Sequence, residues 1–156
     1  MNGIEATRKA LENYPSLNII ALTMFGEHKY YKLMAEAGAK GFVQKDVKKE
    51  ELVEAIKKVA EGNSFFSKQI MNELVNISDS GETEDIMEAM GERLTDREYK
   101  VLQYLVKGLS AAEIAEKMFI SPRTVEGHRA NLISKTGTKN VVELVIFAVR
   151  YHLVSI

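Results

Sequence analysis

The stretch Ser121-Pro-Arg-Thr-Val-Glu-Gly-His-Arg-Ala-Asn131 predicts a well-capped helix and decides the fold of the second half of the chain. Ser121 can accept a hydrogen bond from a free backbone N–H, and Pro122 at the first helical position has no N–H to lose. Because successive residues lie about 100° apart around a helix, this helix has an inner and an outer side. The inner side carries Val125, Arg129, Leu132 and Ile133, and the outer side carries Arg123, Gly127, Ala130, Asn131 and Ser134.

The outer side of this helix is formed mainly by small residues. Solvent-facing helices favour long polar side chains, whereas Gly costs about 1 kcal/mol relative to Ala in a helix interior. Gly127 and Ala130 therefore predict that another molecule comes close to this face.

Two helical patterns precede this helix along the chain. Thr95–Val106 opens with a capping box, which its first residue forms with Glu98. Ser110–Met118 is a short helix, and Phe119-Ile-Ser-Pro122 forms the turn into the next one. Two short helices joined tightly, the second well capped, are typical of a helix-turn-helix motif.

In a helix-turn-helix the second helix lies in the major groove of DNA, and its N-terminal N–H groups suit phosphate. The candidates for phosphate contacts are Arg123 and Thr124 beside the N-terminus, and His128, Arg129 and Lys135 further along. Three of these have a plainer interpretation: Thr124 as a polar first-turn residue, Arg129 as a side chain lying over the core, and His128 as a packed histidine.

Four residues of the helix are candidates for base contacts. Glu126 can accept from cytosine N4, Asn131 can pair with adenine, and Gly127 and Ala130 admit a thymine methyl group. The charge distribution favours the same function. Residues 92–156 carry ten Lys/Arg against seven Asp/Glu, a net +3, which leaves −4 on residues 1–91 of a chain whose total is −1.

Composition excludes several other classes of protein. With 46% apolar and 28% charged residues among 156, the chain is predicted to be globular and cytoplasmic, without a membrane span or secretory signal. There is no cysteine, and His28, His128 and His152 are far apart, so we expect no zinc site and no cofactor. The sequence shows no nucleophile–base pair or phosphate loop, and we therefore expect no enzymatic activity.

The first half of the chain alternates between helical and strand-like patterns, which predicts an α/β layer with parallel strands. The predicted helices are Ile4–Leu11, Glu27–Ala37 and Lys49–Glu61, and the predicted strands are Leu17–Leu22 and Gly41–Val43. Two strands are too few to bury a parallel sheet, so we expect either a missing preceding segment or packing against another chain. Residues 67–77 form a possible helix, and the polar, acidic stretch Ser78–Asp85 is predicted to be a linker.

The stretch from Leu94 to about Val154 resembles the LuxR/FixJ-type four-helix DNA-binding domain of bacterial regulators. The resemblance lies in Leu94-Thr-Asp-Arg-Glu, Gly108-Leu-Ser-Ala-Ala-Glu-Ile-Ala, Ile120-Ser-Pro-Arg-Thr-Val-Glu-Gly-His-Arg and Lys135-Thr-Gly. It implies that Ser121–Lys135 is the recognition helix and that two copies dimerise on double-stranded DNA through Asn140–Tyr151.

The residues of that helix predicted to contact DNA are Ser121, Arg123, Thr124, Val125, Glu126, Gly127, His128, Arg129, Ala130, Asn131 and Lys135. Val125 also belongs to the inner side, with Leu132 and Ile133. Family members often have a lysine where this sequence has Glu126. The last predicted helix is apolar over much of its circumference, which indicates either a partner surface or a well-buried terminal helix.

Residues 2–66 resemble the C-terminal half of a response-regulator receiver domain, beginning with Met1-Asn-Gly-Ile-Glu-Ala-Thr. The resemblance implies that Thr23 is the switch hydroxyl, Phe42 the switch aromatic residue and Lys45 the phosphate-contacting lysine. The family's phosphoacceptor aspartate and its Mg²⁺-binding acidic pair match no residue of this chain, so we expect neither site here. A histidine kinase is accordingly expected as a partner only of a full-length relative.

The sequence thus predicts an α/β partial receiver, a flavodoxin-like half, at residues 1–66, a helix and acidic linker at 67–91, and an all-α four-helix helix-turn-helix domain at 92–156. The predicted function is sequence-specific transcriptional regulation in a two-component phosphorelay family. The alternative is a protein-interaction module that exposes Phe42, Val43 and the helix Lys49–Glu61, and that inhibits intact regulators by pairing with them.

Overall fold

The structure, a computed structural model, describes residues 1–24, 28–76 and 80–155 in two units, Met1–Leu74 and Val75–Ile156. The first unit alternates helices with three short parallel strands, in the sheet order β1-β2-β3. Its elements are α1 (Gly3–Asn13), β1 (Ile20–Thr23), α2 (His28–Ala37), β2 (Gly41–Gln44), α3 (Lys49–Ala60), β3 (Phe65–Phe66) and α4 (Lys68–Asn76).

The predicted α/β layer with parallel strands is confirmed, and two details differ from the prediction. The first strand begins at Ile20 rather than Leu17, and a third strand, Phe65–Phe66, extends the sheet beyond β2. A two-residue strand is too short to show a periodic pattern, which is why the sequence did not predict it. The predicted start of α2 at Glu27 lies outside the described residues, and the helix is described from His28.

The central strand β2 is buried along its whole length, as expected of a parallel strand covered on both faces. Gly41 is required at its first position because a Cβ atom there would lie 2.9 Å from a side-chain carbon of Ile20 and 3.0 Å from one of Val59. Phe42 is fully buried, and its ring stacks on that of Phe66 with centroids 5.2 Å apart. Strand β2 is thus the centre of the core of this unit.

Helix α4 packs within the first unit, whereas the sequence predicted this helix beyond the receiver boundary at residue 66. Ile70 and Leu74 are fully buried. Glu73 accepts a hydrogen bond from the Tyr31 hydroxyl at 2.5 Å and another from the Gln44 side-chain amide at 2.5 Å. These contacts join α4 to both α2 and β2.

The second unit is helical throughout its regular structure. Its elements are α5 (Ser80–Arg93), α6 (Asp96–Val106), α7 (Ala111–Met118), α8 (Pro122–Thr136) and α9 (Val141–Arg150). The prediction of a linker at Ser78–Asp85 needs correction, since the chain is helical from Ser80 onward; residues 78 and 79 lie outside the described residues. The stretch is polar and acidic, as linkers often are, although acidic residues can also have good helix propensity. For this reason the sequence did not indicate the helix.

The four helices α6 to α9 confirm the predicted four-helix domain, and their caps follow the sequence signals. Thr95 accepts a hydrogen bond from the Glu98 N–H at 3.2 Å, and the Glu98 carboxylate accepts one from the Thr95 N–H at 3.0 Å. A second capping box, which Ser110 and Glu113 form, starts α7. Gly108 follows α6 with φ at +83°, a conformation that suits glycine.

Helix α9 uses most of its apolar surface inside its own unit, in contact with α6 and α8. Five apolar residues of this helix are at most 1% exposed: Leu144, Val145, Ile146, Ala148 and Val149. The sequence left two interpretations of the wide apolar face of this helix, a partner surface and a well-buried terminal helix. Burial within the unit accounts for most of that face. Among residues 1–24, 28–76 and 80–155, no helix is both long and apolar enough to cross a membrane.

Candidate nucleic-acid interface

Helix α8 begins and ends where local chemistry dictates. Ser121 caps it by accepting a hydrogen bond from the Thr124 N–H at 3.1 Å, with Pro122 at the first helical position. Gly137 ends it in the left-handed conformation, at φ +68°. The start and the register of the helix, and hence its inner and outer sides, are those that the sequence predicts.

The inner side of α8 is part of the core. Val125 and Leu132 are both fully buried, and α8 contacts α6, α7 and α9. The prediction of a DNA contact at Val125 is therefore wrong for its side chain, because that side chain is enclosed by the unit. The sequence already indicated this burial, because Val125 lies on the inner side of the helix with Leu132 and Ile133.

The outer side of α8 is open to solvent. Gly127 has an exposed backbone, and a Cβ atom built on it would meet no described atom within 4 Å. Internal packing therefore does not require a glycine there. The other exposed residues of this helix and its cap are Ser121, Pro122, Arg123, Thr124, Glu126, Ala130, Asn131 and Ser134. Together with Gly127 they form the surface that we call the outer face of α8.

Glu126 and Arg129 form an ion pair one helical turn apart. Nη1 of Arg129 lies 2.9 Å from Oε1 of Glu126, and the side chains are 17% and 58% exposed respectively. The Glu126 carboxylate is thus engaged by a neighbouring cation. It would have to leave Arg129, or share it, in order to accept a hydrogen bond from a cytosine amino group.

His128 occupies the edge of the core rather than the outer face. Its Nε2 atom is buried and has no hydrogen-bond partner among the described residues. The same holds for Nε of Arg129. In this conformation Nε2 does not reach a flanking phosphate, which favours the packed-histidine interpretation of His128.

Lys135 lies at the other end of α8 and is held by groups of its own unit. Its ammonium nitrogen lies 2.6 Å from Oε2 of Glu98 and 2.8 Å from the backbone oxygen of Arg93. Glu98 is only 3% exposed. Lys135 was predicted to contact phosphate. In the structure it instead forms an ion pair that joins α8 to α6.

The pKa of Glu98 reflects that environment. Burial on its own raises the pKa of this carboxyl group. The hydrogen bonds from Lys135 and the Thr95 N–H, together with the charges of Lys135 and His128, outweigh burial and hold the pKa below its ordinary value. Glu98 is therefore ionised at neutral pH. The sequence identified it only as a capping residue, because pairing with a residue 37 positions away leaves no local signal.

The structure brings two of the three receiver positions together at one edge of the sheet. Thr23 ends β1 beside Gln44 of β2, and the Lys45 N–H donates to the Thr23 backbone oxygen at 2.7 Å. Lys45 is exposed, and Phe42 is buried two residues inside the strand end. Within the described ranges, no group of three His, Cys, Asp or Glu residues could hold a metal ion.

Two helices joined by a tight turn, the second of them capped and exposing small residues on its outer face, are typical of helix-turn-helix DNA-binding domains. Comparison with known families agrees with this class. Residues 92–148 match the model of bacterial regulatory proteins of the luxR family, and residues 1–57 match the response regulator receiver domain. Neither model describes an enzyme.

Individual relatives match over nearly the whole chain. The oxygen regulatory protein NreC of Staphylococcus carnosus (strain TM300) is 32% identical over 156 residues, which are 99% of this chain and 72% of the relative. NreC of Staphylococcus aureus (strain JH9) is 34% identical with the same coverage. The chain belongs to the two-component response regulators that carry a LuxR-family DNA-binding domain.

Two solved structures are similar to the chain in sequence. The response regulator ChrA of a heme-sensing two-component system is 29% identical, with 99% of this chain and 72% of that chain covered and a TM-score of 0.41. Full-length FixJ from B. japonicum is 25% identical, with 99% and 71% covered and a TM-score of 0.42.

Proposed function

We propose that this chain is a cytoplasmic transcriptional regulator that binds specific duplex DNA by placing α8 in the major groove. The observation that carries the proposal is the outer face of α8, where the space above Gly127 is open and Ala130 and Asn131 are exposed. Small residues on the outer face let the helix backbone come close to the base edges of the major groove. The capped helix α8 exposes such residues.

Phosphate contacts come from the first turn of α8. Its N-terminal N–H groups and partial positive charge attract phosphate, and the exposed Arg123 and Thr124 lie beside them. These contacts position the helix without reading sequence. Asn131 is the residue best placed to read a base, since it is exposed and its amide can pair with adenine.

Two copies of the chain read half-sites about one helical turn of DNA apart, as dimeric helix-turn-helix proteins do. The part of α9 that is available to the dimer consists of its half-buried residues, because the rest of its apolar surface is used inside the unit. The half-buried apolar residues of α9 are Val141 and Phe147, and Leu153 follows beyond the end of the helix. The centroid of the Phe147 ring lies 4.8 Å from that of the Tyr151 ring.

The experiment that tests the proposal is selection of duplexes from a random-sequence library, followed by titration at several salt concentrations. A DNA reader enriches a defined sequence, and the logarithm of its affinity falls linearly with the logarithm of salt concentration. Two half-site repeats in the enriched sequence would support the dimer. Failure to retain any duplex at low salt would contradict DNA binding.

We further propose that the 156-residue chain acts without accepting phosphate. Thr23 and Lys45 lie together at the sheet edge, and Asp46, the carboxylate that follows them in sequence, is exposed. Mg²⁺ is held in such sites by several oxygen ligands, which a single exposed carboxylate does not supply. Incubation with acetyl phosphate and Mg²⁺ is expected to leave the mass of the chain unchanged, and an increase by one phosphoryl group would contradict this.

The second candidate function, pairing with an intact receiver, is supported by only part of the surface predicted for it, the helix α3. Phe42 and Val43 are fully buried, so the prediction that they are exposed is wrong. Val53 and Ile56 of α3 are 39% and 51% exposed, and Leu22 of the edge strand β1 is 50% exposed. The other large apolar side chains that the structure describes as exposed in this unit are Met1, Tyr14, Leu17 and Met24. Sedimentation of the chain mixed with an intact relative tests this function, which predicts a mixed complex that Ile56→Glu abolishes.

A further inference from the structure

Glu126 is the only acidic residue of α8, and it is exposed on the outer face. Arg123, Arg129 and Lys135 give the rest of the helix a positive charge. Attraction between basic groups and phosphates dominates the affinity of proteins for DNA, and a carboxylate on the approaching surface opposes it. Glu126 therefore lowers the affinity of the outer face for every duplex, whatever its base sequence.

Helix stability does not account for the position of Glu126. Acidic side chains stabilise a helix in its first turn, where they meet the positive end of the helix dipole. The first turn of α8 carries no acidic residue, and Glu126 lies in the second turn. Its pair with Arg129 is partly exposed, and such pairs contribute little to stability. A cost in DNA affinity without a matching gain in stability indicates a role in recognition.

Arg129 restrains the side chain of Glu126. Nη1 of Arg129 donates to Oε1 of Glu126 at 2.9 Å, and the arginine side chain is only 17% exposed. Its Nε atom is buried, so the arginine lies against its own unit rather than in solvent. A carboxylate bound to such a group has fewer conformations than a freely solvated glutamate. The bond uses Oε1 and leaves Oε2 outside the pair.

The restrained carboxylate lies beside an open part of the outer face. Gly127 follows Glu126, and a Cβ atom built on this glycine would meet no described atom within 4 Å. When α8 lies in the major groove, its backbone comes close to the base edges at that point. The Glu126 carboxylate is then close enough to a base edge to influence which base is tolerated. This step rests on the proposed function.

The bases differ in how they interact with a carboxylate, which only accepts hydrogen bonds. In the major groove guanine presents two acceptors, N7 and O6, whereas cytosine presents the N4 amino donor. A carboxylate that faces guanine loses water and gains no donor, which is unfavourable. We propose that Glu126 excludes guanine from one position of each half-site, and that Arg129 is the positioning residue that holds the carboxylate there. Because exclusion acts by repulsion of the wrong base, it does not require Glu126 to leave Arg129.

The experiment repeats the duplex selection with Glu126→Gln, which keeps the shape of the side chain and adds an amide donor. Sequences selected by the unaltered chain should lack guanine at one position of each half-site, and those selected by the variant should admit it there. Titration of two duplexes that differ only at that position, with cytosine or guanine, then measures the discrimination. We expect a preference for cytosine of about tenfold in the unaltered chain and of less than about threefold in the variant.

Glu92→Gln is the matched control, because it removes one exposed carboxylate of the same unit from α5. It should leave the discrimination unchanged. Arg129→Ala should lower the discrimination at that same position and at no other, and Arg129→Lys, which keeps a cation, should restore most of it. In a chain that already carries Glu126→Gln, Arg129→Ala should not change the discrimination further. A merely structural role of Arg129 would instead weaken binding to both duplexes equally, and would remove Arg129 from the proposal.

Three results would overturn the role of Glu126. One is the same preference for cytosine over guanine in the unaltered chain and in Glu126→Gln at every position. Another is weaker binding of Glu126→Gln to the cytosine duplex alone, which would make Glu126 an attractive contact to that base. The third is an equal loss of discrimination in Glu92→Gln, which would assign the effect to net charge. Selection of no duplex by the unaltered chain would instead contradict the proposed function, so the two failures are distinct.

Discussion

The ammonium nitrogen of Lys135 lies 2.6 Å from Oε2 of Glu98, and this contact joins the last turn of α8 to the first turn of α6. Glu98 also completes the cap of α6 through the Thr95 N–H. One buried carboxylate thus determines both where α6 begins and how the proposed recognition helix is held.

Replacement of Lys135 is expected to destabilise the second unit. Lys135→Ala leaves the Glu98 carboxylate buried without its partner, and we expect the free energy of unfolding to fall by about 2 kcal/mol. Urea unfolding measures this free energy. The control is Lys107→Ala, which alters an exposed lysine of the same unit. An equal, small effect of both substitutions would show that the pair contributes little.

The same pair predicts how stability depends on pH. The pKa of Glu98 is lower in the folded chain than its ordinary value of 4.5, because Lys135, the Thr95 N–H and His128 outweigh burial. Its contribution is therefore complete above that ordinary value and is lost as the pH falls through the folded pKa. Thermal unfolding between neutral pH and acid should show a smaller pH dependence in Glu98→Gln. An unchanged pH dependence would mean that other carboxyl groups account for it.

In the first unit, Glu73 is predicted to hold α4 in place. Its carboxylate accepts hydrogen bonds from the buried Tyr31 and from Gln44, both at 2.5 Å. Tyr31→Phe should lower the free energy of unfolding by about 1 kcal/mol, and Glu73→Ala by somewhat more. A double-mutant cycle should give a coupling energy of at least about 0.5 kcal/mol, and strict additivity would contradict a direct bond.

Removal of the Glu126 charge is expected to strengthen binding to duplexes in general. Glu126→Gln eliminates a carboxylate from the outer face of α8, where it opposes phosphate, and affects an exposed pair whose stabilising effect is at most about 0.5 kcal/mol. Affinity for an unselected duplex should rise at low salt while Tm stays nearly constant. Weaker binding to the selected duplex alone would instead identify Glu126 as a base contact.

Local signals allowed much of the second unit to be predicted from the sequence. The caps at Thr95, Ser110 and Ser121 depend on residues three positions apart, so their patterns are visible along the chain. The pairing of Glu98 with Lys135 was not visible, because it needs the packing of α6 against α8.

The incorrect predictions also concern features that leave no distinctive local pattern in the sequence. Strand β3 is two residues long and carries no alternation, and α5 was hidden by its acidic composition. The exposure of Phe42 was misjudged because a fully buried strand and a surface apolar strand have the same composition. Side-chain contacts between distant elements, such as Glu73 with Tyr31, leave no pattern in the sequence.

The most direct test of the central claim is the affinity of two Gly127 variants for the selected duplex. Gly127→Ala and Gly127→Phe should both fold, because the space above Gly127 is open, and the alanine variant should be about 1 kcal/mol more stable. The account predicts that Gly127→Phe loses at least about tenfold in duplex affinity, which is roughly 1.4 kcal/mol, since the ring blocks entry into the groove. A folded Gly127→Phe variant that binds the duplex as tightly as the unaltered chain would contradict it.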